Sequence, residues 1–182
     1  MGVSAPAPAR DALSRLLELA DGRLHLDDLP GGLDFDRVAL GRDEQTGSAI
    51  VLVDGDGTPG TAAAALKLIA QIAGTEHRSL AVLGELSTDA ADWRDEHDRI
   101  GRLVVRLNVG QLVVVGDGAR HIHNAAGLEG SWDGESQLVD GPDTAYDLLR
   151  EELRAGDVVL IGSSVLMPLD SVATRLAGGA TW

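Results

Sequence analysis

The chain has 182 residues, enough for one domain or one domain with a short extension. Hydrophobic residues at 44% give material for a real core, which Leu, Val, Ile and Ala must build because aromatics reach only 3%. A formal charge of −14 argues against sequence-independent nucleic-acid binding, which needs Lys and Arg to displace counterions from phosphates. The lack of cysteine excludes disulfides, thiolate metal sites and a Cys nucleophile. No apolar run is long enough to span a bilayer and the start lacks the features of a signal peptide, so no membrane contact is expected and the cytoplasm is the expected location.

In chain order, residues 1–10 are small and Pro-rich and are expected to form a disordered arm. A helical pattern follows over 11–20, with Leu13, Leu16, Leu17 and Ala20 on one face. The stretch DGRLHLDDLPGGLDFDRV reads as loop and short turns. From Ser48 onward strands and helices alternate. Strands are expected over 49–54, 79–83, 111–115, 137–139 and 157–161; helices are expected over 60–73, 89–107, 119–127, 142–155 and 169–176. Runs such as IVLV, LVVV and DVVLI are continuously apolar, as strands are when helices cover both faces of a parallel sheet. The fold class expected is α/β: a doubly wound, mostly parallel Rossmann-like sheet with helices on both faces, preceded by a short N-terminal helical extension. Ligands of such sheets sit at the carboxyl ends of the strands, here 54–59, 84–88, 116–120, 140–141 and 162–165.

The segment VLVDGDGTPG carries Gly55, Gly57 and Gly60 in G-x-G-x-x-G spacing between a strand and a helix. Three readings stand. A dinucleotide site is favoured by the flanking elements and by Glu85, an acidic residue after the next strand, where such folds bind ribose. It is disfavoured by Asp54 and Asp56, two negative charges beside a pyrophosphate. A P-loop fails because Thr61 stands where Lys is needed to hold phosphates. The third reading is a tight strand-to-helix turn, with Gly supplying positive φ and Pro59 setting the helix entrance.

Further segments bear on this choice: Leu83-Gly84-Glu85-Leu86, a helix with Glu96 next to His97, Val115-Gly116, and GDVVLIGSS ending at Ser164. In combination, over roughly residues 40–177, they resemble the C-terminal domain of Mur ligases, the MurF type above all. That family's domain carries L-G-[DE]-M, E-x-H, V-G and G-D-V-V-L-V-K-[GA]-S in this order. The resemblance divides the chain into the arm 1–10, a helix and hinge over 11–47 like the end of the family's central domain, and a C-terminal-like domain over 48–182. It matches Arg42 to the hinge arginine of GRDE. In the family, a central domain with a G-T-N-G-K-T P-loop makes an acyl phosphate from ATP, and the C-terminal domain closes over it. No such P-loop occurs in these 182 residues.

The ligand loops also depart from the pattern. The D-x-Y-N-A-N-P expected after the first strand reads Asp54-Gly55-Asp56-Gly57-Thr58-Pro59, and the Lys of K-[GA]-S is Gly162, with Ser163 and Ser164 following. The ligand-binding candidates are Arg42, Asp54, Asp56, Thr58, Glu85, His97, Ser163 and Ser164. Glu85 could accept hydrogen bonds from a ribose or an amine, and the GSS turn could bind an anion. His97 either makes surface charge pairs in the acidic run DWRDEHDR or faces the cleft beside Glu85. His121 and His123 diverge if they lie on a helix, so no metal site is expected there. No catalytic residue is expected.

The function expected is a stand-alone, non-catalytic MurF-type C-terminal-like domain. It would be a binding or accessory subunit that holds a partner protein or a second copy of itself, with a small amino-acid-like ligand as an option. The alternatives are a component of a split or divergent ATP-dependent amino-acid ligase, and a dinucleotide-binding protein. ATP and Mg²⁺ enter only if a partner supplies the P-loop, and NAD is disfavoured.

Overall fold

The computed structural model describes residues 7–22, 24–89, 91–130 and 132–179. Of the expected arm, residues 1–6 lie outside the described residues, and the first helix takes in the rest. The helices are α1 (Ala7–Leu19), α2 (Pro59–Ala73), α3 (Trp93–Arg106), α4 (Arg120–Gly127), α5 (Pro142–Glu152) and α6 (Asp170–Leu176). The strands are β1 (Val38–Arg42), β2 (Ala49–Asp54), β3 (Ser79–Leu83), β4 (Gln111–Val115), β5 (Glu135–Val139) and β6 (Val158–Ser163). They form one sheet in the order β1-β2-β6-β3-β4-β5, parallel throughout except for the antiparallel β1–β2 pair. The mostly parallel, doubly wound α/β fold read from the sequence is the one observed.

The strands split their residues between two cores, as a sheet covered on both faces requires. Val51, Val53, Ala81, Leu83, Leu112, Val114 and Leu160 face one layer, where α1, α2, α3 and α4 lie. Ile50, Leu52, Leu80, Val82, Val113, Val159 and Ile161 face the other, against α5 and α6. Gly101 lets α3 and α4 meet: a Cβ there would stand 2.3 Å from the Ile122 carbonyl oxygen. No helix among the described residues is long and apolar enough to cross a membrane.

Strand β1 lies inside the region expected to be loop and hinge. Its first four residues alternate between buried and partly exposed and Arg42 is exposed; it pairs on one side only, with Val38 opposite Val53 and Arg42 opposite Ala49. The sheet therefore begins at Val38, ahead of the boundary expected at residue 48. Leu16 of α1 and Ala20 just after it pack into the same core layer as Val38 and Leu40, so the extension is part of the core.

The amino ends of the parallel strands are tied by buried charge. Asp157 accepts from Arg78 through Nε (3.2 Å) and Nη2 (2.7 Å), and from the Arg154 amide at 2.9 Å. Asp43, in the β1–β2 turn, accepts from the Thr46 amide at 2.7 Å and the Thr46 hydroxyl at 2.8 Å, and pairs with Arg150 of α5.

Candidate functional site

The carboxyl ends of β2, β3 and β6 bring three loops together. The β2–α2 loop is fastened to itself first. The Asp56 carboxylate accepts from the Thr58 amide at 3.0 Å and from the Thr61 hydroxyl at 2.8 Å. Thr58 caps α2 by accepting from the Thr61 amide at 3.3 Å, with Pro59 opening the helix. These bonds, the Thr58 amide foremost, hold Asp56 below the usual carboxylate range. Of the three glycines only Gly57 takes positive φ, at 68°. A Cβ on Gly57 would lie 2.4 Å from Ser164 Cβ, so the loop is also pressed against the end of β6.

The β6 loop is closed in the same way. Ser163 Oγ accepts from the Leu169 amide at 3.0 Å and Ser164 Oγ accepts from the Met167 amide at 3.1 Å. Ser164 also donates to the Glu85 carbonyl at 3.3 Å, linking β6 to the loop after β3. Both serines are buried. Their hydroxyl oxygens complete a turn and the entry to α6. At Gly162, where the family carries Lys, a Cβ would come within 2.9 Å of Leu83 Cδ2.

Glu85 is half-buried at this edge, its carboxylate laid over Gly118 so closely that a Cβ there would be 2.1 Å from Oε2. His97 lies on the face of α3 that carries Ile100, Gly101 and Val104, and it is fully buried. The surface-pair expectation for it does not hold. Its Nε2 accepts from the Leu86 amide at 3.1 Å, and its Nδ1 sits 2.6 Å from the Trp93 carbonyl, which requires a proton on Nδ1. Burial is the first cause that pushes its pKa below the usual 6.5. The i, i+3, i+4, i+7 spacing of 97, 100, 101 and 104 is the sequence signal for this placement.

Asp54 is exposed at the end of β2; its carbonyl accepts from Arg37 Nη1 at 3.1 Å. Arg37 had no place among the sequence candidates, because the strand that brings it to this edge was not anticipated. Arg42 is the candidate the fold separates from the others. It pairs with Ala49, at the opposite end of β2 from Asp54, about 17 Å away at strand rise. There its Nη1 bonds the Gly47 carbonyl at 3.1 Å. His121 and His123 diverge as expected, towards Asp98 (3.4 Å) and the Ser136 hydroxyl (2.7 Å).

Strand order and loop lining bear on the dinucleotide and P-loop readings. Strand β6 separates β2 from β3, so the strand before Glu85 is not the immediate neighbour of β2, although the Ser87 amide of the same loop donates to the Gly57 carbonyl at 2.9 Å. Between the three loops the cavity is about 20 Å³, room for a water molecule. No lysine stands there, and among the described residues no three His, Asp or Glu side chains converge as a metal ion would need.

Comparison with known proteins agrees with the fold. Residues 38–165 match the family described as Mur ligase, glutamate ligase domain. The UDP-N-acetylmuramoyl-tripeptide–D-alanyl-D-alanine ligase of Mycobacterium leprae is 50% identical over 103 residues, covering 56% of this chain and 20% of that protein. The ligase of the same name from Mycobacterium tuberculosis is 41% identical over 154 residues, covering 74% of this chain and 30% of that one. A crystal structure of MurF from Acinetobacter baumannii superposes with a TM-score of 0.63 at 16% identity, over 78% of this chain and 30% of that one. MurF from Thermotoga maritima, in complex with ADP, gives 0.58 at 14% identity, over 91% and 36%. The chain thus spans about a third or less of the length of these relatives. A six-stranded sheet with this sequence signature places the chain in the Mur ligase family, as a MurF-like C-terminal domain.

Proposed function

We propose that this chain acts as a non-catalytic docking unit, the closing domain of a MurF-type assembly whose ATP-phosphate site lies on a partner. The observation that carries the reading is the state of the carboxyl edge. Asp56, Thr58, Ser163 and Ser164, four groups that would contact a ligand there, each accept a hydrogen bond from a backbone amide of their own loops. The same edge carries an apolar projection. Ser164 and Met167 exchange two 3.1 Å bonds across a tight turn, which holds Val165 and Leu166 outward, 86% and 51% exposed. Exposed apolar groups on a rigid turn suit contact with another protein better than contact with phosphate.

The partner surface that fits this reading is the remainder of a D-alanyl-D-alanine-adding ligase. Mixing the chain with the rest of the Mycobacterium tuberculosis relative, its own C-terminal domain removed, is expected to give a one-to-one complex by sedimentation velocity. Interfaces between domains of one chain are modest in area, so the affinity expected is in the range of roughly micromolar to millimolar. Replacing Val165 and Leu166 together by Asp should weaken it at least about tenfold. Absence of a complex, or ATP hydrolysis by the chain alone, contradicts the reading.

A second reading draws on Glu85, whose carboxylate lies at the edge as an acceptor for an amine. The chain would then be a working component of a split or divergent ATP-dependent amino-acid ligase. Product formation in the same mixture, lost in Glu85→Gln with docking intact, favours that reading over the first.

A further inference from the structure

Among the described residues, His97 is the one fully buried ionisable group at the carboxyl edge, and the proposed docking role leaves it without a task. Its two ring nitrogens are spoken for in opposite senses. Nδ1–H donates to the Trp93 carbonyl within α3, while bare Nε2 accepts from the Leu86 amide in the loop after β3. Only neutral imidazole in this tautomer can make both bonds. A second proton would go to Nε2 and set N–H against N–H at Leu86. The amide would then be buried without an acceptor.

We propose that His97 is a pH latch on the Glu85–Leu86 loop, closed when its imidazole is neutral and released when that ring takes a proton. The charged groups around it fix the direction of the change. From the loop, the Glu85 carboxylate favours the protonated ring. From its own helix, Asp98 does the same more weakly, while His121 on α4 opposes it; the Trp93 ring packs on His97 at 5.0 Å between centroids, with His121 on Trp93 in turn. On protonation Nε2–H therefore exchanges the Leu86 amide for the carboxylate one residue earlier in the chain. Glu85 leaves its seat over Gly118, and the Ser164 hydroxyl loses the Glu85 carbonyl it bonds. The loop joined to both β6 and the glycine turn is thereby freed, which makes edge geometry depend on pH.

The sign follows from burial. The closed state keeps the ring neutral below its ordinary pKa of 6.5, whereas the open state binds a proton there. The latch is fully formed above that value and weakens as pH falls through it.

The test is amide hydrogen exchange by NMR on the intact chain between neutral pH and about pH 5, corrected for intrinsic exchange rates. Protection at Leu86 should fall by up to about tenfold per pH unit below 6.5, while Val114 in β4 stays protected. In His97→Gln, whose side-chain oxygen can accept from Leu86 but cannot titrate, Leu86 protection should be flat across the same range. Imidazole ¹⁵N shifts at neutral pH should show the proton on Nδ1. A flat wild-type profile, an equal slope in His97→Gln, parallel loss at Val114, or a proton on Nε2 at neutral pH would each overturn the latch.

Discussion

Asp43→Ala is expected to destabilise the chain by about 3–5 kcal/mol, the cost of leaving a buried charge without its partner. Asp43 is 1% exposed, and Arg150 reaches it from α5, 107 residues away in sequence. Arg150 cannot turn to water instead. Its Nε and Nη1 are already buried without hydrogen-bond partners, and burial pushes its pKa below the ordinary guanidinium range. Loss of the carboxylate also frees the Thr46 and Gln45 amides, bonded at 2.7 and 3.2 Å, so the β1–β2 turn loosens with it. In a domain of this size such a loss corresponds to a melting temperature lower by about 10–15 °C, read by thermal unfolding. Asp43→Asn, which keeps an acceptor for the turn but not the charge, should recover part of the difference.

Asp157→Ala is expected to cost about 3 kcal/mol, near the lower end of the same range because the Arg78 side chain remains 25% exposed. Asp157 stands just before β6, the strand between β2 and β3. It receives the fork of Arg78, whose Nη2 also donates to the Glu152 carbonyl at 2.6 Å. One carboxylate therefore joins the starts of β3 and β6 to the end of α5. A denaturant midpoint that shifts by less than the equivalent of 1 kcal/mol would mean that this fork is a surface pair of little weight. Together the two aspartates divide the sheet by role: its amino end is held by buried charge, and its carboxyl end by hydroxyls and backbone.

The central strands were legible because a strand covered on both faces must be apolar at every position, a pattern that survives without knowledge of its neighbours. Strand β1 was hidden by the opposite circumstance. It pairs on one side only, is five residues long and follows a Gly- and Asp-rich stretch, so its alternation was lost in the loop. With it went the positions of Arg37, which reaches the Asp54 carbonyl at the carboxyl end of β2, and of Arg42, which lies opposite Ala49 at the other end. For the glycine loop, the turn reading rests on a contact no local pattern contains. Gly57 is glycine partly because Ser164, more than a hundred residues later, occupies the space of its side chain. His97 was obscured by its acidic neighbours, since a ring in DWRDEHDR reads as exposed until its helical face is followed to Val104. The Mur ligase resemblance was legible for a different reason: it rested on several separated motifs in order, which the altered ligand loops did not erase.

In the proposed reading the carboxyl edge, closed by its own bonds, presents a docking surface rather than a ligand site. That reading is tested most directly by adding millimolar Mg·ATP to the isotope-labelled chain and following its backbone amides by NMR. No saturable shifts are expected in the loops 54–61, 84–88 and 162–167. Saturable shifts confined to those three loops would contradict it, and would make this edge a nucleotide site.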